Sequence, residues 1–228
     1  MQARPLTGSA ARIARLEEWH FWFAGRRALL ERLLRRRLPQ PSLLADVGCG
    51  TGSSLLLLRS LGHRAVGFDL RSGDARADAQ RLPLRPQSLD AALALDVLEH
   101  APDDAAVLRE LHAALKPGGV LIAAVPAGPW LWSFRDEAAG HLRRYTRKGL
   151  LGKARAAGFE VLEVRPYQFF LFAPLALARL LGRRGPALRD AEERIPRLLN
   201  SALTRVAVLE ARLPVPFGSS LFAVLRKS

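Results

Sequence analysis

The sequence predicts an α/β fold: a doubly wound, mostly parallel sheet with helices on both faces. Two observations carry this. Short apolar runs of strand length, at 43–47, 64–69, 88–96, 120–125 and 159–165, alternate with longer stretches of helical spacing. The first run ends in an acid and a glycine-rich turn, Asp46-Val47-Gly48-Cys49-Gly50-Thr51-Gly52, and a second apolar stretch, Leu55 to Leu58, follows at once. Strand, tight turn and helix start in that order make a place for a ligand. Glycine lets it approach the backbone, and the free N–H groups of a helix N-terminus favour an anion.

The chain of 228 residues is long enough for one domain with a sizeable core. Its single cysteine, Cys49, excludes an internal disulfide and agrees with a reducing compartment. Inside the glycine turn it reads as a packing residue rather than a nucleophile. No apolar leader stands near the N-terminus. The longest apolar stretch, Phe169 to Leu181, is interrupted by Pro174 and Arg179 and falls short of the ~20 residues of a spanning helix. A cytoplasmic protein is expected, with peripheral membrane contact left open. The net charge of +14 is almost wholly arginine, lysine occurring only at Lys116, Lys148, Lys153 and Lys227. Genome composition can produce such a bias, so it assigns no function, although a basic chain attracts anionic partners.

In chain order, residues 1–9 read as a loosely held start. Residues 10–38 are helical by the recurrence of Ile13, Leu16, Leu29, Leu30, Leu33 and Leu34, with Gly25 as the expected break and Pro39 and Pro41 as the stop. A helix from Ser53 to about Leu61 should end at Gly62. Asp103 and Asp104 open a helix to Leu115 with Leu108, Leu111 and Leu115 on its apolar face. Lys116-Pro117-Gly118-Gly119 carries the type II turn signature. Thr146 caps a helix from Lys148 to Ala157, which Gly158 ends. Residues 167–181 read as an apolar helix pair broken at Pro174. Arg189 to Leu213 reads as an amphipathic helix carrying Ile195, Leu198, Leu199, Leu203, Val206 and Leu209, and Ser219 to Arg226 as a last strand.

The glycines of the turn are spaced G-x-G-x-G, with Ser53 at the third position of the dinucleotide pattern G-x-G-x-x-G/A. D-V-G-C-G-T-G resembles the first motif of the class I S-adenosylmethionine-dependent methyltransferases. The resemblance covers roughly residues 40–165 and is strongest to small bacterial members of the type 11-like subgroup. It implies a Rossmann-like, seven-stranded sheet whose last strand is antiparallel. It also implies a helical lid over residues 1–40, a cofactor-binding core over 41–165, a helical insertion over 166–218 and a last strand over 219–228. The implied cofactor is S-adenosyl-L-methionine.

Asp69 ends the second strand, 17 positions beyond Gly52, and matches the family's ribose-binding acid, with Leu70 beside it. Ala77 to Leu84, A-D-A-Q-R-L-P-L, resembles the adenine-binding element. Asp78 is assigned there to the amino group and Ala79 to the ring, with Asp74 as a competing acid. Asp96-Val97-Leu98-Glu99-His100 is similar to the family's N-V-L-E-H, with aspartate in place of asparagine. Asp96 and Val97 are assigned to the methionine end, and Asp46, Gly48, Cys49, Gly50 and Gly52 complete the cofactor set. The segment W-F-A-G-R-R, Trp22 to Arg27, resembles a W-[FW]-x-x-R-R element of the bacterial subgroup. Trp22 would stack on cofactor or substrate and Arg26 would pair with the methionine carboxylate. The plainer reading, a helix packing its aromatics on the body, stands beside it.

Residues 126–147 carry the acceptor question. Trp130, Arg143, Arg144 and Tyr145 are assigned to the acceptor, and the alternative is a surface loop whose arginines pair with Asp136 and Glu137. His141 is the candidate base, with Glu137, His20 and His100 behind it; no metal ligands are assigned. The implied reaction moves a methyl group from a sulfonium to a hydroxyl or amine of a small-molecule or lipid/glycan-linked acceptor. Alignment of the reacting atoms would supply roughly 7–11 kcal/mol of the barrier. RNA ranks second as acceptor, since no RNA-binding module is visible. The missing third glycine argues against a nicotinamide-dependent oxidoreductase. A cofactor-binding protein without turnover is the remaining alternative.

Overall fold

The computed structural model describes residues 9–170, 172 and 195–228. A seven-stranded sheet organises them, in the order β3-β2-β1-β4-β5-β7-β6. The strands are β1 (Leu43–Val47), β2 (Arg64–Asp69), β3 (Ala75–Arg76), β4 (Leu89–Leu95), β5 (Leu115–Pro126), β6 (Phe159–Tyr167) and β7 (Ser220–Lys227). All pairings are parallel except those of β7, which runs antiparallel to both β5 and β6. The order reverses between β1 and β4, and in open sheets of this kind ligands bind outside the carboxyl ends at such a point.

The helices are α1 (Ser9–Trp19), α2 (Phe21–Arg37), α3 (Ser53–Ser60), α4 (Asp104–Ala114), α5 (Phe134–Ala139), α6 (Arg147–Ala156) and α7 (Arg197–Glu210). They cover both faces. Leu29, Leu30, Leu33 and Leu34 of α2 join Leu55 and Leu58 of α3 against one face, where Leu93, Ile122 and Phe222 point. Val107, Leu108 and Leu111 of α4 join Leu150 and Ala154 of α6 against the other, where Val47, Leu121 and Leu225 point. Strands clothed on both sides have to be apolar throughout, which is why β1, β4 and β5 read as continuous runs rather than alternating ones.

Local signals explain the ends. Asp103 caps α4 by accepting from the Ala106 N–H at 2.9 Å, and Thr146 caps α6 by accepting from Gly149 N–H at 3.0 Å. Gly118 has φ 77°, as the third residue of a type II turn requires. Three expectations are corrected. The break in the first helical segment lies at His20, whose Nδ1 accepts the Trp22 N–H at 3.2 Å and caps α2. Gly25 lies inside α2 and is buried; it marks a close approach, not a break. Pro166 and Tyr167 belong to β6, not to the helical insertion, so the chain between β6 and β7 begins at Gln168, two residues later than expected. Leu115 starts β5 rather than finishing α4: it pairs with Leu89 of β4, and its carbonyl accepts from Lys227 Nζ of β7 at 2.8 Å.

The expected loose start lies outside the described residues apart from Ser9, which begins α1. So do most of the predicted 167–181 helix pair and the part of the Arg189–Leu213 helix before Ile195. The described part of the latter is α7. It packs on α2 through Ala207, while Leu198, Leu199, Val206 and Leu209 are exposed. No helix among the described residues is long and apolar enough to cross a membrane.

A Cβ at Gly25 would collide with the Tyr167 hydroxyl and stand 2.6 Å from the Ala207 Cβ. Alanine ordinarily stabilises a helix interior by up to ~1 kcal/mol over glycine. Here overpacking of about 1–3 kcal/mol opposes it. Gly25→Ala is expected to lower stability in thermal and urea denaturation, against its propensity.

Candidate active site

The glycine turn is squeezed between its two neighbouring strands. The N–H groups of Gly48 and Cys49 both donate to the Phe68 carbonyl of β2, at 2.7 and 3.2 Å. On the β4 side a Cβ at Gly48 would run into Val97 Cγ2. Gly48, Gly50 and Gly52 all have positive φ, 72°, 51° and 85°, which residues with a Cβ adopt at a cost. At Gly50 and Gly52 the space a side chain would fill is open, with nothing nearer than 3.9 Å.

Asp69 at the tip of β2 faces this turn. Its Oδ2 accepts from Gly50 N–H at 3.2 Å, and its Oδ1 accepts from Arg71 and Ser72 N–H at 2.8 and 3.2 Å. Ser72 Oγ donates to the Gly50 carbonyl at 2.6 Å. Leu70 beside it is exposed. Asp74, the competing acid, accepts from Gly67 N–H at 2.9 Å and from Arg59 at 2.7 Å, so its carboxylate is committed to β2 and α3. Asp78 is exposed and caps its own turn by accepting Gln80 N–H at 2.9 Å, with Ala79 packed against the core beside it. The Gln80 side chain ties that turn to the start of α4.

Asp46 is buried at the end of β1, and its Oδ2 has no hydrogen-bond partner among the described residues. Burial pushes its carboxyl up to about 7, with Arg26 opposing and Asp69 adding to the rise. Burial likewise pushes the Cys49 thiol up to about 12, helped by Asp46, Asp69 and Asp74. A thiol so disfavoured as thiolate is a packing group. Glu17, which the sequence did not single out, reaches over from α1. It accepts from Ser53 Oγ at 2.9 Å and from Thr51 Oγ1, supplying an acid at the start of α3, where Gly52 offers no capping side chain.

Beside the turn, at the carboxyl ends of β4 and β5, lies a cavity of about 220 Å³. Trp22 and Arg26 of α2, Asp96 and Glu99 after β4, and Asp136, His141 and Arg144 from the segment after β5 line it. Phe222, Ser219 and Gln168 complete its wall. Arg26 Nη1 and Asp96 Oδ2 are 2.5 Å apart, with Asp96 held at φ 56°. Asp136 is the organiser of the opposite side. Its Oδ1 accepts from His141 Nδ1 at 2.9 Å and from Arg144 Nε at 2.7 Å, and its Oδ2 accepts from Ser133 N–H at 2.8 Å. Burial works to raise its carboxyl, but the bonds from His141 and Arg144 outweigh that and hold it well below the usual carboxylate range.

His141 Nε2 lies 3.9 Å from Glu99 Oε1. Glu99 is fully buried, and neither of its carboxylate oxygens has a hydrogen-bond partner among the described residues. Burial, then the Asp96 charge, pushes its carboxyl well above the usual range. His100 packs edge-on against His141, ring centroids 4.9 Å apart, and its Nδ1 lies 3.2 Å from the Gly140 carbonyl.

The structure therefore brings Trp22, Arg26, Asp96, His141 and Arg144 into one cavity. It does not bring Trp130, Arg143 or Tyr145 there. Tyr145 is buried and its hydroxyl donates to Asp104 Oδ2 at 2.7 Å. Arg143 reaches the same carboxylate at 3.2 Å and the Pro102 carbonyl at 3.0 Å. Trp130 is exposed and stands edge-on to Phe172. Of the reserve bases, His20 is the cap of α2, and Glu137 accepts from Trp132 Nε1 at 3.3 Å outside the cavity lining. The residues missed in the sequence are Glu17, Glu99, Asp136 and Gln168. Asp136 stands five positions before His141, and that short acid–histidine spacing was the available signal.

A family model described as a methyltransferase domain matches residues 18–164. A protein of Mycolicibacterium smegmatis, named a "Probable S-adenosylmethionine-dependent methyltransferase", is 29% identical over 205 residues, 83% of this chain and 77% of its own length. A ubiquinone biosynthesis O-methyltransferase of a Methylobacterium species is 35% identical over 98 residues, 36% of this chain and 39% of its own length. Among solved structures, the 1,6-didemethyltoxoflavin-N1-methyltransferase of Burkholderia thailandensis, with S-adenosylhomocysteine bound, shares the fold. Its TM-score is 0.57 at 20% identity, covering 100% of this chain and 93% of that one.

Asp46 yields a pH-dependent prediction. Between pH 3.8 and about 7 the folded chain holds a proton on Asp46 that the unfolded chain has released. Stability therefore falls as pH rises through that window. Asp46→Asn removes the cost, so it is expected to stabilise the cofactor-free protein by roughly 2–4 kcal/mol at pH 8 and by progressively less towards pH 4. Urea melts of both proteins across this range check it.

Proposed function

The chain belongs to the S-adenosylmethionine-dependent methyltransferase family, and from that premise we propose that it methylates a hydroxyl group on a ring-sized acceptor seated in the 220 Å³ cavity. The acceptor is a free small molecule or the head of a lipid- or glycan-linked one. The observation that carries this reading is His141, oriented by Asp136 and facing the cavity beside the Arg26–Asp96 pair.

Residues at the turn suit the cofactor. Gly50 and Gly52 leave a cradle that side chains would fill, and Asp69 stands where it can accept from two ribose hydroxyls. Leu70, Asp78 and Ala79 follow as the adenine wall, and Gly48, Cys49 and Val97 shape the floor. The Arg26–Asp96 pair is complementary to an amino acid zwitterion: each partner can exchange the other for the opposite end of the methionine moiety. Asp46, buried at the end of β1, interacts electrostatically with Arg26 of that pair. Helix α1 and the start of α2 act as the lid, with Glu17 as its contact on the turn.

When bound, the cofactor supplies a methyl group on a positively charged sulfur. The chain then has to hold the acceptor oxygen in line and remove its proton. With Nδ1 donating to Asp136, the neutral imidazole keeps its lone pair on Nε2, towards the cavity. Nε2 would take the acceptor's hydroxyl proton as the oxygen becomes the nucleophile for the methyl group that the bound cofactor would supply. Trp22 and Phe222 offer apolar walls, and Arg144 a cation near any negative charge on the acceptor. The Methylobacterium relative is named an O-methyltransferase and the Burkholderia neighbour an N1-methyltransferase, so the hydroxyl reading rests on His141 and not on those names. A lipid-linked acceptor is favoured by the exposed Leu198, Leu199 and Leu209 of α7 together with exposed Phe170 and Phe217.

Two outcomes are expected. Asp69→Ala weakens S-adenosylmethionine binding by calorimetry about 10–100-fold, as loss of charge-assisted hydrogen bonds implies; unchanged affinity would remove Asp69 from the ribose site. His141→Ala lowers turnover about 10²–10⁴-fold while cofactor affinity stays within about twofold. A screen of hydroxylated aromatic and lipid-linked acceptors with labelled cofactor provides the assay.

A further inference from the structure

Glu99 poses the sharpest question in the cavity. Glu99 is fully buried and neither carboxylate oxygen has a hydrogen-bond partner among the described residues, a setting that disfavours its ionised form unless a cation meets it. Arg26 and Arg144 pull its pKa downward from a distance, but each is hydrogen-bonded elsewhere, Arg26 to Asp96 and Arg144 to Asp136, and burial outweighs them. What faces Glu99 instead is a pair of imidazoles. Glu99, His100 and His141 each offer a donor atom, and these atoms lie within 4.8 Å of one another.

The histidines are oriented as ligands are. A backbone carbonyl can only accept, so His100 Nδ1, 3.2 Å from Gly140 O, carries its proton. Asp136 fixes the same tautomer on His141. Both neutral rings thus hold their lone pairs on Nε2, and His141 Nε2 points at Glu99 Oε1 from 3.9 Å. A carboxylate or carbonyl behind each ring is the usual support of a metal-binding histidine. We propose that Glu99, His100 and His141 bind a divalent first-row cation, zinc or manganese by class, in the wall of the acceptor cavity.

Two imidazoles and one carboxylate suit such ions better than magnesium or calcium, which prefer all-oxygen sets. With metal–ligand bonds of ~2.0–2.2 Å, donors on one ion stand about 3.3 Å apart, so the triad closes by about an ångström of side-chain motion. Three protein ligands leave a coordination position open. Because Glu99 and His141 both line the cavity, that position faces the acceptor. An ion held there would act as a Lewis acid that lowers the pKa of a coordinated hydroxyl, whose proton would pass to solvent; His141 would then be a ligand, and it serves as base only while the site is metal-free. This use of the ion rests on the hydroxyl-acceptor reading; its binding does not.

The test titrates zinc chloride, manganese chloride and magnesium chloride separately into chelator-treated full-length protein by calorimetry, without cofactor or acceptor. One zinc or manganese ion per chain is expected, with magnesium at least about 100-fold weaker. His100→Ala, at an exposed position, and Glu99→Gln, which keeps the shape of the buried side chain, are each expected to weaken binding more than about 100-fold. Asp136→Asn weakens it about 10–100-fold by loosening His141. Glu99→Gln is further expected to melt higher than the parent at neutral pH when both are metal-free, since the parent must bury a carboxyl that the unfolded chain leaves ionised in water. Absence of zinc and manganese binding, or binding that His100→Ala and Glu99→Gln leave intact, overturns the site. S-adenosylmethionine affinity measured on the same samples separates a lost ion from a lost cofactor site, and ion binding without methyl transfer to any hydroxyl would fail the acceptor reading alone.

Discussion

The constraint on which the rest of the site depends is the closeness of β2 and β4 to the end of β1. The Phe68 carbonyl takes two N–H groups of the turn from one side, and Val97 closes on Gly48 from the other. A residue with a side chain at position 48 has nowhere to put it. The turn therefore has to be glycine-rich, has to sit where the strand order reverses, and has to present its outer surface to solvent. Asp69, the last residue of β2, and Asp96, the first residue after β4, are placed by the same geometry, at the ends of the strands that do the squeezing. The site is a consequence of how three parallel strands end, and the helices add to it afterwards.

Electrostatics in the cavity follows from burial rather than from the overall charge. The chain carries +14, yet the arginines that matter are counterions: Arg26 for Asp96 and Arg144 for Asp136. Asp136 stays ionised because its partners are hydrogen-bonded to it, while Asp46 and Glu99, equally buried but with unsatisfied oxygens, shift upwards. Three acids within one region thus end in different states through their partners alone. That contrast separates the carboxylate that orients a histidine from the one still available to a ligand.

The sheet was legible in the sequence because strands buried on both faces leave unbroken apolar runs, and the turn because only glycine tolerates its backbone. Thr146 and Asp103 were legible as caps for a similarly local reason. The first helical segment was misread at Gly25. A glycine in a helix signals either a break or a close contact, and the contact here is with Tyr167 and Ala207, more than 140 positions away in the chain. The same distance hid Arg143 and Tyr145. Their types and position suited an acceptor, but Asp104, about forty residues earlier, takes both. Glu99 lay inside a recognised motif, and nothing local told that its carboxylate would be left without a partner.

Helix α7 lies beyond the residues 18–164 that the family model matches, and it bears directly on how α1 and α2 are held. Asn200 accepts from Phe21 N–H at 3.0 Å and donates to the Trp19 carbonyl at 2.8 Å, so it clamps both sides of the α1–α2 junction around His20. One turn pair further along, Ala207 meets Gly25 and sets how deeply α2 lies, hence how far Arg26 reaches into the cavity. The junction is fixed, whereas α1 beyond it is held to the body at the turn by Glu17, through two hydroxyl groups. Glu17 thus ties α1 to the glycine turn. The Arg26 side of the site keeps its place, because the segment that fixes it comes from the other end of the chain.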